Sequence, residues 1–380
     1  MRNTPWHHFD FLLFGAVALL TIFGITMIRS AIAGNIELIE GNTVQKQIIF
    51  AVGGFIIAMI VAAIDYRLWA SLSRFLYWGI ILILVILLVV GNQLFGSNRW
   101  FSLGPILIQP SELAKIVIIL VMADFLTRHQ ERIKNFSWVV RSFIVTLGIA
   151  IWILLQPDLS TSIVIFVIWF ALLWAGGLEI KHLLLAIGTG ALSLVVGLPL
   201  LLLNYDPTNT DALIKPYQIE RILNFLLPDP NATYGANFNV FQALVSIGSG
   251  GWFGKGYESG TQVQLRFLKV RHSDFIFSAL AEEFGFVGTI VVIGLLLFVI
   301  LRCLRAARLS SDTFGALIAY GVATLFTFQA VVNIGMNLNL LPVTGLPLPF
   351  VSYGGSSLLS MLLGVGLVES VILRHKALDF

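Results

Sequence analysis

The chain has 380 residues, of which 58% are hydrophobic and only 11% charged, with a mean hydropathy of +0.92. Soluble domains carry about 25% charged residues, so this composition excludes an ordinary soluble enzyme and describes a polytopic membrane protein. The formal charge of +3 fits loops facing an anionic leaflet rather than a nucleic-acid partner. The single cysteine, Cys303, excludes an internal disulfide framework, and no His/Cys cluster has zinc-ligand spacing.

A spanning helix needs about 20 mostly apolar residues. Ten segments qualify, approximately 10–31, 45–64, 72–90, 113–126, 138–155, 160–175, 182–203, 275–304, 314–340 and 357–373. The expected fold is therefore all-α, one integral membrane domain over 1–380 with about ten transmembrane helices and a long outer loop between the seventh and eighth. The first apolar run, Phe11 to Ile28, exceeds the roughly 7–15-residue core of a signal peptide and reads as a retained helix. Lys and Arg in short loops set orientation. With the N-terminus inside, the inner side holds Arg2, Arg67, Arg74, Arg128, Arg132, Lys134, Arg141, Lys181, Arg302, Arg305, Arg308, Arg374 and Lys376, against Arg29, Lys46 and Arg99 on the short outer loops. Both termini are then expected in the cytoplasm.

In chain order, the first polar constellation is Gln109-Pro110-Ser111-Glu112-Leu113-Ala114-Lys115. Pro110 suits a helix start, Ser111 can cap and Glu112 complements the helix dipole. Glu112 and Lys115 are i,i+3 neighbours, either a surface ion pair worth a few tenths of a kcal/mol or part of a site. Next, Gln156-Pro157-Asp158-Leu159-Ser160-Thr161 forms a tight turn in which Asp158 is a turn or cap residue or a third site carboxylate. The loop 204–273 follows; long loops are usually functional. It contains a candidate interfacial helix at Phe238–Ile247. Its glycines, Gly248-Ser249-Gly250-Gly251 and Gly254-Lys255-Gly256, serve flexibility or let amides approach a pyrophosphate, without Walker spacing.

The loop closes on Arg271-His272-Ser273-Asp274, where polar chain turns into apolar helix. Asp274 reads as a helix N-cap or as a working carboxylate. Ser278 and Glu282, at i+4 and i+8, extend a polar stripe into the helix, and Glu282 and Glu283 at membrane depth need partners. Finally, Pro and Gly are too dense in Leu341 to Ser357 for regular helix. Irregular backbone at that depth is tolerated only when buried by protein or lining a cavity, so a re-entrant element is expected. Glu112, Asp158 and Asp274 are all expected at one membrane level.

Together these blocks resemble the SEDS family, polytopic glycosyltransferases of bacterial cell-wall synthesis. The resemblance rests on Gly96 to Trp100, Gln109 to Lys115, Gln156 to Thr161, Tyr217 to Arg221, Gly248 to Gly256, His272 to Phe277, Ala281 to Gly285 and Pro347 to Ser357. Gly260-Thr261-Gln262 followed by Leu265 is similar to the RodA, or elongation, branch rather than the FtsW, or division, branch. One departure is Leu268-Lys269-Val270-Arg271, where the family usually has Leu-Pro-Glu before its His-x-Asp.

The resemblance implies polymerisation of lipid II at the outer face of the cytoplasmic membrane, with loop 204–273 carrying part of the active site. A GlcNAc 4-hydroxyl loses its proton as it attacks the anomeric carbon of an undecaprenyl-linked glycan, and undecaprenyl pyrophosphate leaves. One carboxylate base then suffices, unlike the two of hydrolases; Asp274 is that candidate. Arg99, Lys115, Arg221, Lys255 and Arg271 are candidate pyrophosphate-stabilising cations. Glu112 would orient Lys115, Asp158 would support the cavity, and His272, Glu282, Ser352, Gly354 and Gly355 are further supporting candidates. A divalent cation, Mg²⁺ or Mn²⁺, is a candidate cofactor, with no organic one. The implied partners are a class B penicillin-binding protein and other cell-elongation proteins, with no nucleic acid. Two other readings stand beside this one: a lipid II flippase, and a non-catalytic scaffold.

Overall fold

The computed structural model describes residues 5–90, 92–94, 97–103, 106–129, 135–182, 184, 188, 216–227, 235–268 and 270–375. Its helices are α1 (Phe11–Ile32), α2 (Ile36–Glu40), α3 (Thr43–Ala63), α4 (Tyr66–Val90), α5 (Pro110–Arg128), α6 (Phe136–Leu155), α7 (Leu159–Ala175), α8 (Pro216–Leu226), α9 (Gly235–Ser249), α10 (Thr261–Gln264), α11 (Ile276–Leu309), α12 (Thr313–Asn337) and α13 (Gly355–Leu373). Nine of the ten expected spans are helices, namely α1, α3 to α7 and α11 to α13. The expected seventh span, 182–203, lies outside the described residues apart from three positions. Among the described residues, seven helices are long and apolar enough to cross a bilayer. Of the other two, α7 has only 17 residues and α5 carries Glu112, Lys115 and Asp124.

The all-helical expectation needs one addition. Between α4 and α5 the chain forms a small antiparallel meander: β1 (Asn92–Leu94), β2 (Ser97–Leu103) and β3 (Ile106–Ile108). Phe101 pairs with Ile108 and Leu103 with Ile106, which delivers the chain to Pro110 at the first position of α5, where its missing N–H costs no hydrogen bond.

The interior belongs to α13 and α12, with 89% and 67% of their most apolar 18-residue windows buried, against 22% for α4. Small residues allow the closest approach: a Cβ on Gly366 of α13 would lie 2.6 Å from the Ala58 carbonyl oxygen of α3. The start of α1 and the end of α13 meet at one end of the bundle. There Glu369 accepts from the Asp10 N–H at 3.0 Å, and the His8 and His375 rings lie 4.6 Å apart.

At the other end, α11 is interrupted where Gly285 takes φ 66° and ψ −164°. A break inside a membrane helix frees backbone groups that must find partners. The glycine-rich loop supplies them. Phe286 N–H donates to the Gly251 carbonyl at 2.8 Å and Val287 N–H to Trp252 at 3.1 Å, while Lys255 and Gly256 N–H donate to the Glu282 and Glu283 carbonyls at 2.9 and 3.0 Å. A Cβ on Gly254 would lie 2.1 Å from the Glu283 carbonyl oxygen. These glycines thus serve backbone contact with α11. That corrects both readings of them, since the amides of Gly254, Lys255 and Gly256 are already committed. It also revises the interfacial-helix expectation, because α9 packs along α11.

Candidate functional site

Asp274 sits in the turn before α11, half-buried. The helix begins two residues later with Phe275 as its N-cap and without a side-chain cap bond, so the capping reading of Asp274 is corrected. Its Oδ1 accepts from the Ser273 hydroxyl at 3.0 Å. Its carbonyl accepts from Asn333 and Asn337 Nδ2 of α12 at 3.2 and 3.0 Å. Asn337 Oδ1 in turn accepts from the Ser278 hydroxyl at 2.6 Å and its N–H at 3.2 Å. From the other side, the Ser352 hydroxyl donates to the Ser273 carbonyl at 2.8 Å and Tyr353 N–H to the His272 carbonyl at 2.9 Å. The aspartate is thereby clamped between α12 and the irregular segment 338–354.

That segment has the irregular backbone expected from its Pro and Gly. The turn is also strained, because Val270, at the departure from the family pattern, has φ 52°, a region β-branched residues rarely occupy. Gly345, at φ 76°, brings the backbone beside the carboxylate; a Cβ there would lie 3.5 Å from Asp274 Oδ2 and 4.0 Å from Arg221 Nη1. Burial raises the Asp274 carboxyl above its ordinary pKa, while the Ser273 hydroxyl and the Arg221 charge pull it down. His272 is driven down to about 4, by burial first and by Arg271 second. It is therefore a neutral ring packed against Tyr353, not a cation for phosphate.

Segment 341–360 also reaches the other two predicted carboxylates. The Thr344 carbonyl accepts from Arg221 Nη1 at 3.0 Å and from the Ser160 hydroxyl at 2.6 Å, joining the Asp274 turn to the start of α7. There Asp158 caps α7 through the Thr161 N–H at 3.2 Å, accepts from Gln109 Nε2 at 3.1 Å, and pairs with Arg99 at 3.6 Å. Gln109 is the N-cap residue of α5, while the Ser111 hydroxyl lies 3.4 Å from Asp158 rather than capping. The Ser360 hydroxyl donates to the Glu112 carbonyl at 2.8 Å. Glu112 and Lys115 form an ion pair at 2.6 Å with the Lys115 side chain fully buried, which removes the surface-pair reading.

Five predicted residues, Lys255, Glu282, Arg271, Gly354 and Gly355, lie apart from this group. Lys255 is paired with Glu282 at 2.7 Å, and that carboxylate also accepts from the Gln262 and Val263 N–H groups; the pair fastens α10 to α11. Arg271 is buried and turned toward the end of α1, donating to the Ala31 carbonyl. Gly354 N–H donates to Gln47 Oε1 at 3.2 Å, and Gly355 lies against the Phe50 ring. Sequence reasoning missed Asn333, Asn337, Gln47 and Thr344. The only local signal was an amide pair at i,i+4 within an apolar helix.

Comparison with known proteins follows this geometry. The model of the cell cycle protein family comprising FtsW, RodA and SpoVE matches residues 10–377. The chain belongs to this family. It is the SEDS family expected from the motifs, and the chain is a glycosyltransferase. It is 36% identical to a probable peptidoglycan glycosyltransferase FtsW of Shewanella sediminis, over 92% of this chain and 83% of that one. It is 34% identical to the peptidoglycan glycosyltransferase MrdB of Escherichia coli K12, over 100% and 98%. The crystal structure of the rod shape determining protein RodA of Thermus thermophilus superposes with a TM-score of 0.70 at 29% identity, over 98% and 100%. A chain of a peptidoglycan synthase complex that coordinates polymerization and crosslinking gives 0.78 at 32% identity, over 96% and 97%.

Proposed function

We propose that this glycosyltransferase polymerises lipid II into peptidoglycan, with the Asp274 carboxylate as general base for the GlcNAc 4-hydroxyl. The observation that carries the reading is the clamped, partly desolvated Asp274 with Arg221 beside it. The raised pKa makes the carboxylate a stronger base than a solvated one. The hydroxyl proton passes to Asp274 as the oxygen bonds to the anomeric carbon, and the bond to undecaprenyl pyrophosphate breaks. Arg221, which donates to the Thr344 carbonyl, and Arg99, which pairs with Asp158, would stabilise the charge growing on the leaving group. The buried Glu112–Lys115 pair would hold the start of α5 beside Asp158 and Arg99.

Among the described residues no three His, Cys, Asp or Glu side chains cluster, so a divalent cation would be held by a single carboxylate together with the substrate pyrophosphate. In this reading the membrane orientation puts the Asp274 end outside and both termini in the cytoplasm, as the distribution of Lys and Arg favours. The likeness to a polymerization and crosslinking complex supports a class B penicillin-binding protein as partner, and the motif Gly260-Thr261-Gln262 supports the elongation branch.

Purified wild type and Asp274→Ala are to be given lipid II with and without Mg²⁺ or Mn²⁺. Glycan strands from wild type alone support the reading; strands from a folded Asp274→Ala variant overturn it. A lipid-scrambling assay in vesicles separates polymerase from flippase.

A further inference from the structure

We propose that the end of the bundle opposite Asp274 holds an anionic phospholipid, its phosphate between Arg305 and Arg308 and an acyl chain in the groove beside them. The last turns of α11 carry Arg302, Arg305 and Arg308 at successive i,i+3 positions. Arg302 is neutralised by Asp10. Arg305 and Arg308 are exposed and have no hydrogen bond or ion pair among the described residues.

The described carboxylates of this end are already engaged. Asp312 pairs with Arg67 at 2.9 Å, Asp124 with Arg128 at 2.7 Å, Asp65 with Arg374 at 3.6 Å and Glu179 with Lys181 at 2.5 Å. Among the described residues, the two arginines are thus left with uncompensated charge.

Beside them lies a cavity of about 500 Å³ between the ends of α7 and α11 and the start of α12. Its walls include Ala175, Leu301, Leu304, Ala307 and Leu317, with Arg305 and Arg308 at the rim. These are walls of spanning helices, so lipid is the solvent that fills the groove. An apolar slot ending in two free guanidinium groups matches an acyl chain joined to a phosphate. A soluble anion would leave the slot unfilled, and a zwitterionic headgroup would bring its own cation against Arg305 and Arg308. The second cavity of this end, about 380 Å³ and shared at Arg305, is closer to neutral because Asp10 lies in its wall.

The test uses the purified full chain in detergent micelles, supplied with phosphatidylglycerol or phosphatidylcholine of identical acyl chains, and counts retained lipids by native mass spectrometry. Each arginine is worth roughly a fivefold preference near a membrane surface, so wild type is expected to favour one phosphatidylglycerol by about 25-fold. Arg305→Gln with Arg308→Gln brings the two lipids to parity. Ala307→Trp, which fills the slot and leaves both charges, lowers phosphatidylglycerol retention. Arg74→Gln, an exposed arginine near the same end, leaves it unchanged. Thermal melting confirms that each variant is folded. Equal retention of both lipids by wild type, or an undiminished preference in the double variant, would overturn the proposal. So would displacement of the lipid by millimolar glycerol phosphate, which would make the occupant a soluble phosphate ester.

Discussion

The Glu112–Lys115 pair allows a sharp test of how the start of α5 is held. Lys115 Nζ lies 2.6 Å from Glu112 Oε2, with the lysine side chain fully buried and the glutamate 7% exposed. Breaking a buried pair leaves an uncompensated charge, at a cost of about 3–5 kcal/mol, whereas replacing both partners by apolar groups of similar volume is often nearly neutral. Glu112→Gln and Lys115→Met are therefore each expected to destabilise by about 3–5 kcal/mol. The double variant should recover most of that loss, giving a coupling energy of at least about 2 kcal/mol in a double-mutant cycle. Denaturant unfolding in a mild detergent, followed by tryptophan fluorescence, reads all four corners of the cycle. Additive losses would refute the account of a closed pair. Recovery of stability without recovery of polymerisation would place the charges of the pair in the reaction itself.

Three further outcomes follow from the same geometry. Asn337→Ala removes donors to the Asp274 and Asn333 carbonyls and the acceptor of Ser278; loosening the turn is expected to lower polymerisation by about 10²-fold, the scale of a 1 Å misplacement, and an unchanged rate would show that the clamp is dispensable. The acid limb of the rate profile should lie above the value of about 3.9 for a free Asp, because Asp274 must be ionised and burial raises its pKa; Arg221→Gln removes a charge that lowers that pKa, so the limb should move to higher pH, and a move to lower pH would contradict the assignment. Gly254→Ala, whose Cβ would meet the Glu283 carbonyl oxygen at 2.1 Å, should cost more than about 2 kcal/mol of stability, while Gly53→Ala in the open face of α3 should be neutral or stabilising; similar melting temperatures for the two would refute the backbone contact.

Much of the architecture was legible because a bilayer imposes length and apolarity on each span. The four polar blocks were equally visible, since charge in so apolar a chain stands out. What the sequence concealed was pairing across distance. Asn333 and Asn337 are unremarkable within α12, and their meaning comes from Asp274, 59 and 63 residues away. Asp274 reads as a cap because it precedes an apolar run, yet Val270 and Phe275 close a turn that delays the helix. Lys255 and Arg271 looked like phosphate-binding cations because their partners, Glu282 and the Ala31 carbonyl, come from other elements. The break at Gly285 was hidden because the apolar run from Phe284 onward continues through it, and the short strands of the meander carry too few residues for a period to register. A local pattern reports what a residue needs, and tertiary contact decides what supplies it.

The most direct test of the central claim is the initial rate of lipid II polymerisation by Asp274→Asn, a variant that keeps the size and polarity of the side chain but not its basicity. With an unchanged melting temperature, it is expected to run between about 10² and 10⁴ times slower than wild type, the usual contribution of a general base. A rate within a few-fold of wild type would remove Asp274 from that role.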